Sequence, residues 1–493
     1  MSHAPALRER LVDQLLADGG LTRPDLARAF ATVPRELFLA GGFHAGERFL
    51  RPGDDGFLDG AYRNDALVTK LDDGVPVSSS SQPSLMALMI EALGVTAGMR
   101  VLEIGAGTGY NAALMAAIGA EVTSVDVQPD VAARAAAALS AAGVVSARVH
   151  LGDGYLGHPP GAPYDRVIVT VGVTGVSPHW LDQLSPGGVV LAPVAHAGTN
   201  PVLRIRATAA PDPHAARGRH AALATDTPAG PRPPGGRQAA PDRYGDPGSR
   251  VADGHHLAAD GPQVPYGPGP AGDGRGAADG PGAGGGPDGA IDPDTAVTRQ
   301  RTAGTGAWTT PPRPAGPQGP AGSFTAAPDG PAWPPDRDVV ADGVCGAGFM
   351  SAAGPLTARH PWSHPAPIRP AGDLPTTVRL PARWAEPIDG YRYHDLWFAV
   401  GAWDRRATSA PFDGTSGCVL ADETGTGGAA IRADGSVDAA GTHAEEYARD
   451  ARVLVERWDD LGQPGIPRWR AGMVLAGDPA APIYVPRGWC LVA

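Results

Sequence analysis

Apolar side chains near the start of the chain recur at helical spacing. Leu7 and Leu11 share one face, and Leu26 and Phe30 begin a second periodic stretch after a pair of glycines. Apolar residues three or four positions apart lie on one side of a helix, so the spacing predicts two short helices. We assign residues 1–74 to an N-terminal helical segment.

Strand-like and helix-like patterns alternate from residue 75 to residue 206. The predicted elements are a strand at 99–104, a glycine turn at 105–109, a helix at 110–118, a strand at 121–125, a helix at 131–142, and strands at 147–151, 165–171 and 189–193. Such alternation is typical of a parallel sheet covered by helices on both faces. The pattern therefore predicts a doubly wound α/β domain over residues 75–206.

Composition changes abruptly after that domain. The chain contains 69 glycines and 52 prolines in 493 residues, and the thirty residues at 261–290 hold 12 glycines and 6 prolines. Both residue types disfavour helix and sheet, and such a segment buries too little apolar surface to form a core. We therefore expect residues 207–338 to be a disordered linker.

Apolar positions return at residue 339, and seven of the ten tryptophans follow. The pattern predicts a strand at 391–400 and short strands within 415–431. An apolar stripe from residue 443 to residue 458 predicts an amphipathic helix. Residues 339–493 therefore form a predicted Trp-rich α+β unit, whose role the sequence leaves open.

Charge and cysteine content exclude several classes of protein. Lys and Arg number 40 against 52 Asp and Glu, and a net charge of -12 does not favour contacts to nucleic-acid phosphates. The three cysteines form no C-x-x-C pair, and the histidines lack metal-ligand spacing, so we predict neither disulfides nor a metal site. No apolar run approaches the ~20 residues that span a bilayer. We expect a soluble, cytoplasmic protein without membrane or nucleic-acid partners.

The strongest chemical signal is the glycine turn at the end of the first predicted central strand. Glu103 precedes Gly105, Gly107 and Gly109, and the next strand ends on Asp126, 21 positions after Gly105. This arrangement places a carboxylate on the ribose of a nucleoside cofactor. The spacing favours S-adenosylmethionine over a dinucleotide. In the alternative interpretation, the glycines only make a tight turn.

Residues 30–205 resemble the protein-L-isoaspartate O-methyltransferase family. The resemblance is carried by residues 33–38, 81–83, 101–110, 152–154, 184–188 and 191–194. It implies a Rossmann-like, S-adenosylmethionine-dependent carboxyl O-methyltransferase that acts on isoaspartyl or aspartyl residues of proteins or peptides. The resulting methyl ester would collapse to a succinimide.

The resemblance also implies a role for each motif residue. Ser81 would hold the substrate carboxylate, whereas Glu103, Gly105 and Gly107 would contact the methionine part of the cofactor. Asp126 would bind the ribose.

Asp153 and Gly154 would lie at the adenine edge of that cofactor. Two structural alternatives stay open: Ser81 caps a helix that begins at Pro83, and Asp153 only forms a turn.

The long form of this chain, with its extra C-terminal sequence, is similar to an actinobacterial branch of the family. Members of that branch modify ribosomally made peptides. General repair and dedicated peptide modification therefore both stay open, as does the oligomeric state. A small-molecule methyltransferase is one alternative. A non-catalytic peptide-binding protein with a relic methyltransferase fold is another.

Overall fold

A computed structural model describes residues 3–207, 338–346, 352, 354–357, 376–412, 415–421 and 426–492. The disordered segment predicted at 207–338 lies outside the described residues, apart from its two end positions. The helices are α1 (Ala4–Ala17), α2 (Pro24–Thr32), α3 (Phe57–Ala61), α4 (Pro83–Leu93), α5 (Tyr110–Ile118), α6 (Pro129–Ala141), α7 (Pro178–Asp182), α8 (Gly390–Trp403) and α9 (Ala444–Asp460).

The described strands lie in three sheets. They are β1 (Phe43–Ala45), β2 (Arg48–Leu50), β3 (Leu67–Asp72), β4 (Val75–Ser80), β5 (Arg100–Ile104), β6 (Glu121–Asp126), β7 (Ala147–Leu151), β8 (Tyr164–Val169), β9 (Leu184–Pro193), β10 (Val202–Ala207), β11 (Val339–Cys345), β12 (Thr376–Leu380), β13 (Ala407–Phe412), β14 (Thr415–Ala421), β15 (Gly427–Ile431), β16 (Val437–Gly441), β17 (Trp469–Asp478) and β18 (Ala481–Leu491).

The central sheet has nine strands in the order β18-β17-β11-β10-β9-β8-β5-β6-β7. The five strands from β9 to β7 in this order pair in parallel, and the remaining pairs are antiparallel. Residues Val101 to Ile104 of β5 are buried, as expected for a strand covered on both faces. The parallel half confirms the predicted doubly wound α/β fold.

The N-terminal segment begins with α1 and α2, which confirms the two predicted helices. It continues into a four-stranded antiparallel sheet in the order β2-β1-β3-β4. The last strand, β4, ends at Ser80 and leads into α4, whose first residue is Pro83 as predicted. Strand β4 of the β3–β4 hairpin carries Ser78, Ser79 and Ser80, and the Ser79 carbonyl oxygen lies near Gly107, which follows β5 of the central sheet.

The third sheet lies in the C-terminal part, in the order β12-β16-β15-β14-β13, and it packs with α8 and α9. The predicted amphipathic helix is α9, with its apolar stripe from Ala444 to Trp458 buried. The strand predicted at 391–400 is wrong, because that run lies in α8. The Asp389 side chain accepts a 2.9 Å hydrogen bond from the Arg392 N–H and caps this helix.

Strands from both ends of the chain share the central sheet. β11 pairs with β10 and with β17, so the C-terminal part extends the sheet that begins in the α/β domain. The boundaries proposed at residues 74, 206 and 338 stay predictions. In the described ranges, no helix is long and apolar enough to cross a membrane.

Candidate active site

The glycine turn, residues 105–109, connects β5 to α5, and its three glycines have φ angles of 97°, 54° and 85°. A Cβ atom on Gly105 would lie 2.7 Å from Thr170 Oγ1, and one on Gly107 would lie 3.2 Å from the Ser79 carbonyl oxygen. At Gly109 the nearest atom would be 3.2 Å away. Left-handed backbone and close neighbours together require glycine here. The turn therefore presents bare backbone at the carboxyl end of the sheet.

Glu103 is the buried carboxylate that precedes this turn. It accepts hydrogen bonds from Ser124 Oγ at 2.6 Å and from Asn111 Nδ2 at 2.7 Å. Burial raises the pKa of Glu103 to about 7, against the lowering effect of those two bonds, and the nearby Asp126 charge raises it further. Asn111 Oδ1 is buried without a hydrogen-bond partner among the described residues. It offers an acceptor that a cationic ligand group would satisfy.

Asp126 ends β6 beside the glycine turn. Its Oδ2 accepts a 3.1 Å hydrogen bond from the Gly107 N–H, and its Oδ1 accepts a 3.0 Å bond from the Gln128 N–H. The side chain is 8% exposed. A carboxylate held at a strand end in this way suits vicinal hydroxyl groups, which donate to both oxygens.

Asp153 and Gly154 lie in the loop after β7, the strand that pairs with β6. Asp153 is exposed, and its Oδ1 accepts a 2.9 Å bond from the Tyr155 N–H, so the turn-forming role is present. A Cβ on Gly154 would lie 2.6 Å from Ile104 Cγ2, which explains glycine at this position. The carboxyl ends of β5, β6 and β7 thus bring together the predicted cofactor residues.

The serine segment, residues 78–81, runs from the end of β4 toward α4. Ser81 is half-buried, and its hydroxyl makes no hydrogen bond to the described residues. The alternative in which Ser81 caps α4 gains no support, because the N-cap position is Gln82 and it makes no side-chain capping bond. Instead the Ser84 N–H donates to Asn64 Oδ1 at 2.9 Å. The Ser81 hydroxyl is therefore free for another partner.

Arg35 holds the backbone of the serine segment in place through a hydrogen bond to the Ser81 carbonyl. The side chain is fully buried, and burial lowers its pKa to about 10. Its Nη1 donates to the carbonyl oxygens of Ala61 at 3.0 Å and Arg63 at 2.8 Å, and its Nη2 donates to those of Asp65 and Ser81 at 3.1 Å. The guanidinium thus joins the N-terminal segment to Ser81, two positions before α4 begins.

Gln128 holds the β3–β4 hairpin against the loop that follows Asp126. Its Nε2 donates to the Val77 carbonyl at 2.9 Å, and its Oε1 accepts from Lys70 Nζ at 2.9 Å. The Gln128 N–H already donates to Asp126. One residue therefore connects the strand-end carboxylate to the strand that carries the serines.

Sequence reasoning missed four residues of this arrangement: Arg35, Asn64, Asn111 and Gln128. Only Arg35 lay in a recognised motif, at 33–38, which could have indicated its importance. The other three act through contacts to backbone or carboxylate groups that sequence spacing does not reveal.

A doubly wound sheet with a glycine turn after its central strand and a carboxylate ending the next defines a Rossmann-like S-adenosylmethionine-dependent methyltransferase. A family model described as protein-L-isoaspartate(D-aspartate) O-methyltransferase matches residues 6–214. The chain belongs to the protein-L-isoaspartate O-methyltransferase family.

Curated relatives with that name support the assignment. A protein from Rhodopseudomonas palustris is 41% identical over 189 residues, which cover 38% of this chain and 69% of the relative. One from Anaeromyxobacter sp. is 36% identical over 197 residues, 39% of this chain and 82% of the relative. One from Thermotoga maritima is 41% identical over 172 residues, but this chain spans only 50% of its length.

Two solved structures of proteins described by the same family name also match this chain. A protein-L-isoaspartate O-methyltransferase is 21% identical, with 97% of this chain and 99% of that chain covered and a TM-score of 0.41. A putative protein-L-isoaspartate O-methyltransferase from Plasmodium falciparum, in complex with S-adenosyl-L-homocysteine, is 16% identical. It covers 40% of this chain and 88% of its own, with a TM-score of 0.33. The family assignment rests on the sequence matches.

The cofactor is S-adenosylmethionine, and the donor set fits it. Asp126 suits the ribose hydroxyls, and the unpartnered Asn111 Oδ1 beside the buried Glu103 suits a cationic amino group. The bare backbone of the glycine turn leaves room for a ligand to approach.

Proposed function

We propose that this enzyme methylates the free carboxylate of an isoaspartyl or aspartyl residue in a protein or peptide, with Ser81 as the carboxylate-binding residue. One observation carries the proposal: the Ser81 hydroxyl has no partner among the described residues, although Arg35 fixes the Ser81 carbonyl at 3.1 Å. The same segment contacts the glycine turn through Ser79. A positioned backbone with an unused hydroxyl is suited to holding a substrate.

The reaction needs little acid-base help. A carboxyl group with a pKa near 4 is ionised at neutral pH, so the substrate arrives as a nucleophile. When bound, S-adenosylmethionine supplies a methyl group activated by its sulfonium. The chain's part is to align the carboxylate oxygen and to exclude water.

Ser81 and the start of α4 supply that alignment. The Ser81 hydroxyl donates to one carboxylate oxygen, and the positive end of the α4 dipole favours an anion beside it. Asn64 already occupies the Ser84 N–H, so the hydroxyl is the donor that we assign to the substrate. Glu103, Asp126, Asp153 and the glycines at 105, 107, 109 and 154 would hold the cofactor.

The product is a methyl ester. The following peptide nitrogen then attacks the ester carbonyl and closes a succinimide ring, while methoxide leaves with the amide proton as methanol. This step needs no residue of the enzyme. Peptides of unrelated sequence that each carry one isoaspartyl residue distinguish two roles: a repair enzyme accepts all of them, whereas a dedicated tailoring enzyme accepts one family of peptides.

Ser81→Ala tests the assignment. We expect turnover on an isoaspartyl peptide to fall by about 10- to 100-fold, the loss of one hydrogen bond to a charged group. Cofactor affinity and melting temperature should stay at the parental values, because the hydroxyl contacts no described residue.

Ser80→Ala is the matched control, since Ser80 is buried and its Oγ lies 3.5 Å from Arg35 Nη2. A fall in turnover in the Ser80 variant alone would move the substrate contact by one residue. Normal turnover in both variants would remove the serine segment from the chemistry.

A further inference from the structure

Two loops beside the candidate site are bonded to the far C-terminal part of the chain, and the first of them carries predicted site residues. The first loop follows β7 and contains Asp153, Gly154 and Tyr155. The Tyr155 hydroxyl donates to the Pro482 carbonyl at 2.8 Å, across 327 positions of sequence. Tyr155 is 4% exposed, so this hydrogen bond lies in the interior.

The second loop, residues 170–177, follows β8 and has three further anchors. The Ala352 N–H donates to the Gly172 carbonyl at 2.8 Å. The Leu356 carbonyl accepts from the Thr174 N–H at 2.7 Å and from Thr174 Oγ1 at 2.9 Å.

The third anchor is a strand-like pair. Val176 and Tyr484 exchange two backbone hydrogen bonds of 2.8 Å each. Together, residue 352, residues 354–356 and residues 482–485 form what we call the C-terminal clasp. In each of these hydrogen bonds between the clasp and the loops, at least one of the two bonded atoms belongs to the backbone.

The second loop in turn contacts the glycine turn. Thr170 Oγ1 lies 2.6 Å from the Gly105 carbonyl oxygen and 3.0 Å from that of Ile104. The loops also contact each other, because Ser177 Oγ donates to the Tyr155 carbonyl at 2.6 Å. A displacement of the clasp could therefore be passed to Gly105 and to the Asp153–Gly154 turn through these hydrogen bonds and the loop backbone between them.

We propose that the C-terminal clasp positions both loops, so that the affinity of the α/β domain for its cofactor depends on the C-terminal part of the chain. This inference rests on the methyltransferase function only for the identity of the ligand. It assigns a role to sequence that the family resemblance at 30–205 leaves unexplained. The clasp residues are positioning residues and touch no reacting atom.

Gly175 gives the sharpest test, because the clasp passes directly over it. A Cβ on Gly175 would lie 2.7 Å from the Tyr484 carbonyl oxygen, 2.9 Å from Ile483 Cδ1 and 3.0 Å from Val485 Cγ1. Its φ is not in the left-handed region, so alanine is compatible with the local backbone. Gly175→Ala must therefore push β18 away from the loop.

Gly472→Ala is the matched control. Gly472 lies in β17, the partner strand of β18, and a Cβ there would meet nothing within 4 Å. The two variants make the same substitution in or beside the same hairpin. They differ in whether the clasp is displaced.

Calorimetric titration of the full-length protein with S-adenosylhomocysteine measures the effect. We expect Gly175→Ala to weaken binding by about tenfold, a typical coupling between sites joined by packed backbone, and Gly472→Ala to bind as the parent does. Amide hydrogen exchange should accelerate in residues 170–177 and stay parental in α9.

Tyr155→Phe keeps the test decisive if Gly175→Ala does not fold. This variant removes only the hydroxyl bonded to Pro482, and we expect a threefold to tenfold loss of affinity. A lower melting temperature with parental affinity in the folded variants would show that the clasp only stabilises the fold, and the inference would be overturned. No binding by the parent protein would instead contradict the methyltransferase assignment itself.

Discussion

The glycine turn and the serine segment meet where Gly107 faces the Ser79 carbonyl, yet they are held in different ways. The carboxylates beside the glycine turn are anchored by residues that are close in sequence: Glu103 bonds Asn111 eight positions away and Ser124 21 positions away. Asp126 binds the Gly107 N–H across 19 positions. This part of the site is built within one βαβ unit.

The serine segment is anchored from farther away. Arg35 reaches the Ser81 carbonyl across 46 positions, and Gln128 reaches the Val77 carbonyl across 51. Both anchors bind main-chain carbonyls of the segment, and Arg35 Nη2 also lies 3.5 Å from Ser80 Oγ. The two carboxylates predicted to contact the cofactor are therefore fixed within the βαβ unit, and Thr170 connects that unit to the loop that the C-terminal clasp contacts. Substrate alignment should instead depend on how the N-terminal segment packs.

Gly107→Val should have the largest effect, because it acts at the contact between the two regions. The side chain would start 3.2 Å from the Ser79 carbonyl at a backbone φ of 54°, which β-branched residues avoid. We expect cofactor binding to fall below detection in a titration with S-adenosylhomocysteine.

Gly98→Val separates the steric effect from backbone strain. Gly98 also has a positive φ, of 80°, but a Cβ there meets nothing within 4 Å. This control should lose some stability and keep its cofactor affinity. If both variants bind cofactor equally well, the close approach at Gly107 has no part in binding.

The same contrast explains what the sequence could predict. The bounds of α5 and β7 agree with prediction because glycine punctuation and apolar period are local signals. Residues 391–400 were predicted as a strand because a continuous run of aromatic and apolar residues fits either element. The run is a helix in the structure, capped by the Asp389 side chain, and it is buried from Leu396 to Val400. Such burial fits either element, so the packing that selects the helix is not visible in the run itself.

The anchors of the serine segment could not be predicted for a related reason. Arg35 bonds mainly backbone carbonyls, which every residue has, and its one side-chain contact is a longer one of 3.5 Å to Ser80 Oγ. No partner residue type therefore marks these contacts. The antiparallel extension of the central sheet by β11, β17 and β18 likewise depends on pairing across long stretches of chain. The elements that carry the predicted cofactor residues could be predicted from the sequence, and the contacts that hold the serine segment could not.

The raised pKa of Glu103 should make stability depend on pH, an effect of intermediate size. It concerns the residues beside the glycine turn and not the serine segment. A folded-state pKa of about 7 lies above the unfolded value of 4.5, so the fold favours the protonated form. The contribution of Glu103 to stability is full below pH 4.5 and is lost as the pH rises to 7. A shift of this size corresponds to about 3 kcal/mol.

Glu103→Gln isolates this contribution. Buried His196, whose pKa is lowered to about 4 by burial, changes stability in the opposite direction between pH 4 and 6.5, so the parental profile alone is ambiguous. The difference in unfolding free energy between the variant and the parent cancels the histidine. We expect denaturant titrations without cofactor to show the variant gaining on the parent from pH 5 to pH 8. A constant difference would mean that Glu103 is ionised throughout.

Gln128→Ala should have the smallest effect, and it acts on the serine segment alone. The variant loses the bonds to Val77 and Lys70 but keeps the backbone N–H that donates to Asp126. Loss of about 1 kcal/mol of positioning should raise KM for an isoaspartyl peptide about fivefold. Cofactor affinity should stay parental, since the Asp126 contact is intact.

Asp130→Asn is the control, because Asp130 is the other partner of Lys70 at 2.7 Å and makes no bond to β4. Equal KM increases in both variants would place the effect on Lys70, and a parental KM in Gln128→Ala would show that the hairpin needs no anchor at Val77.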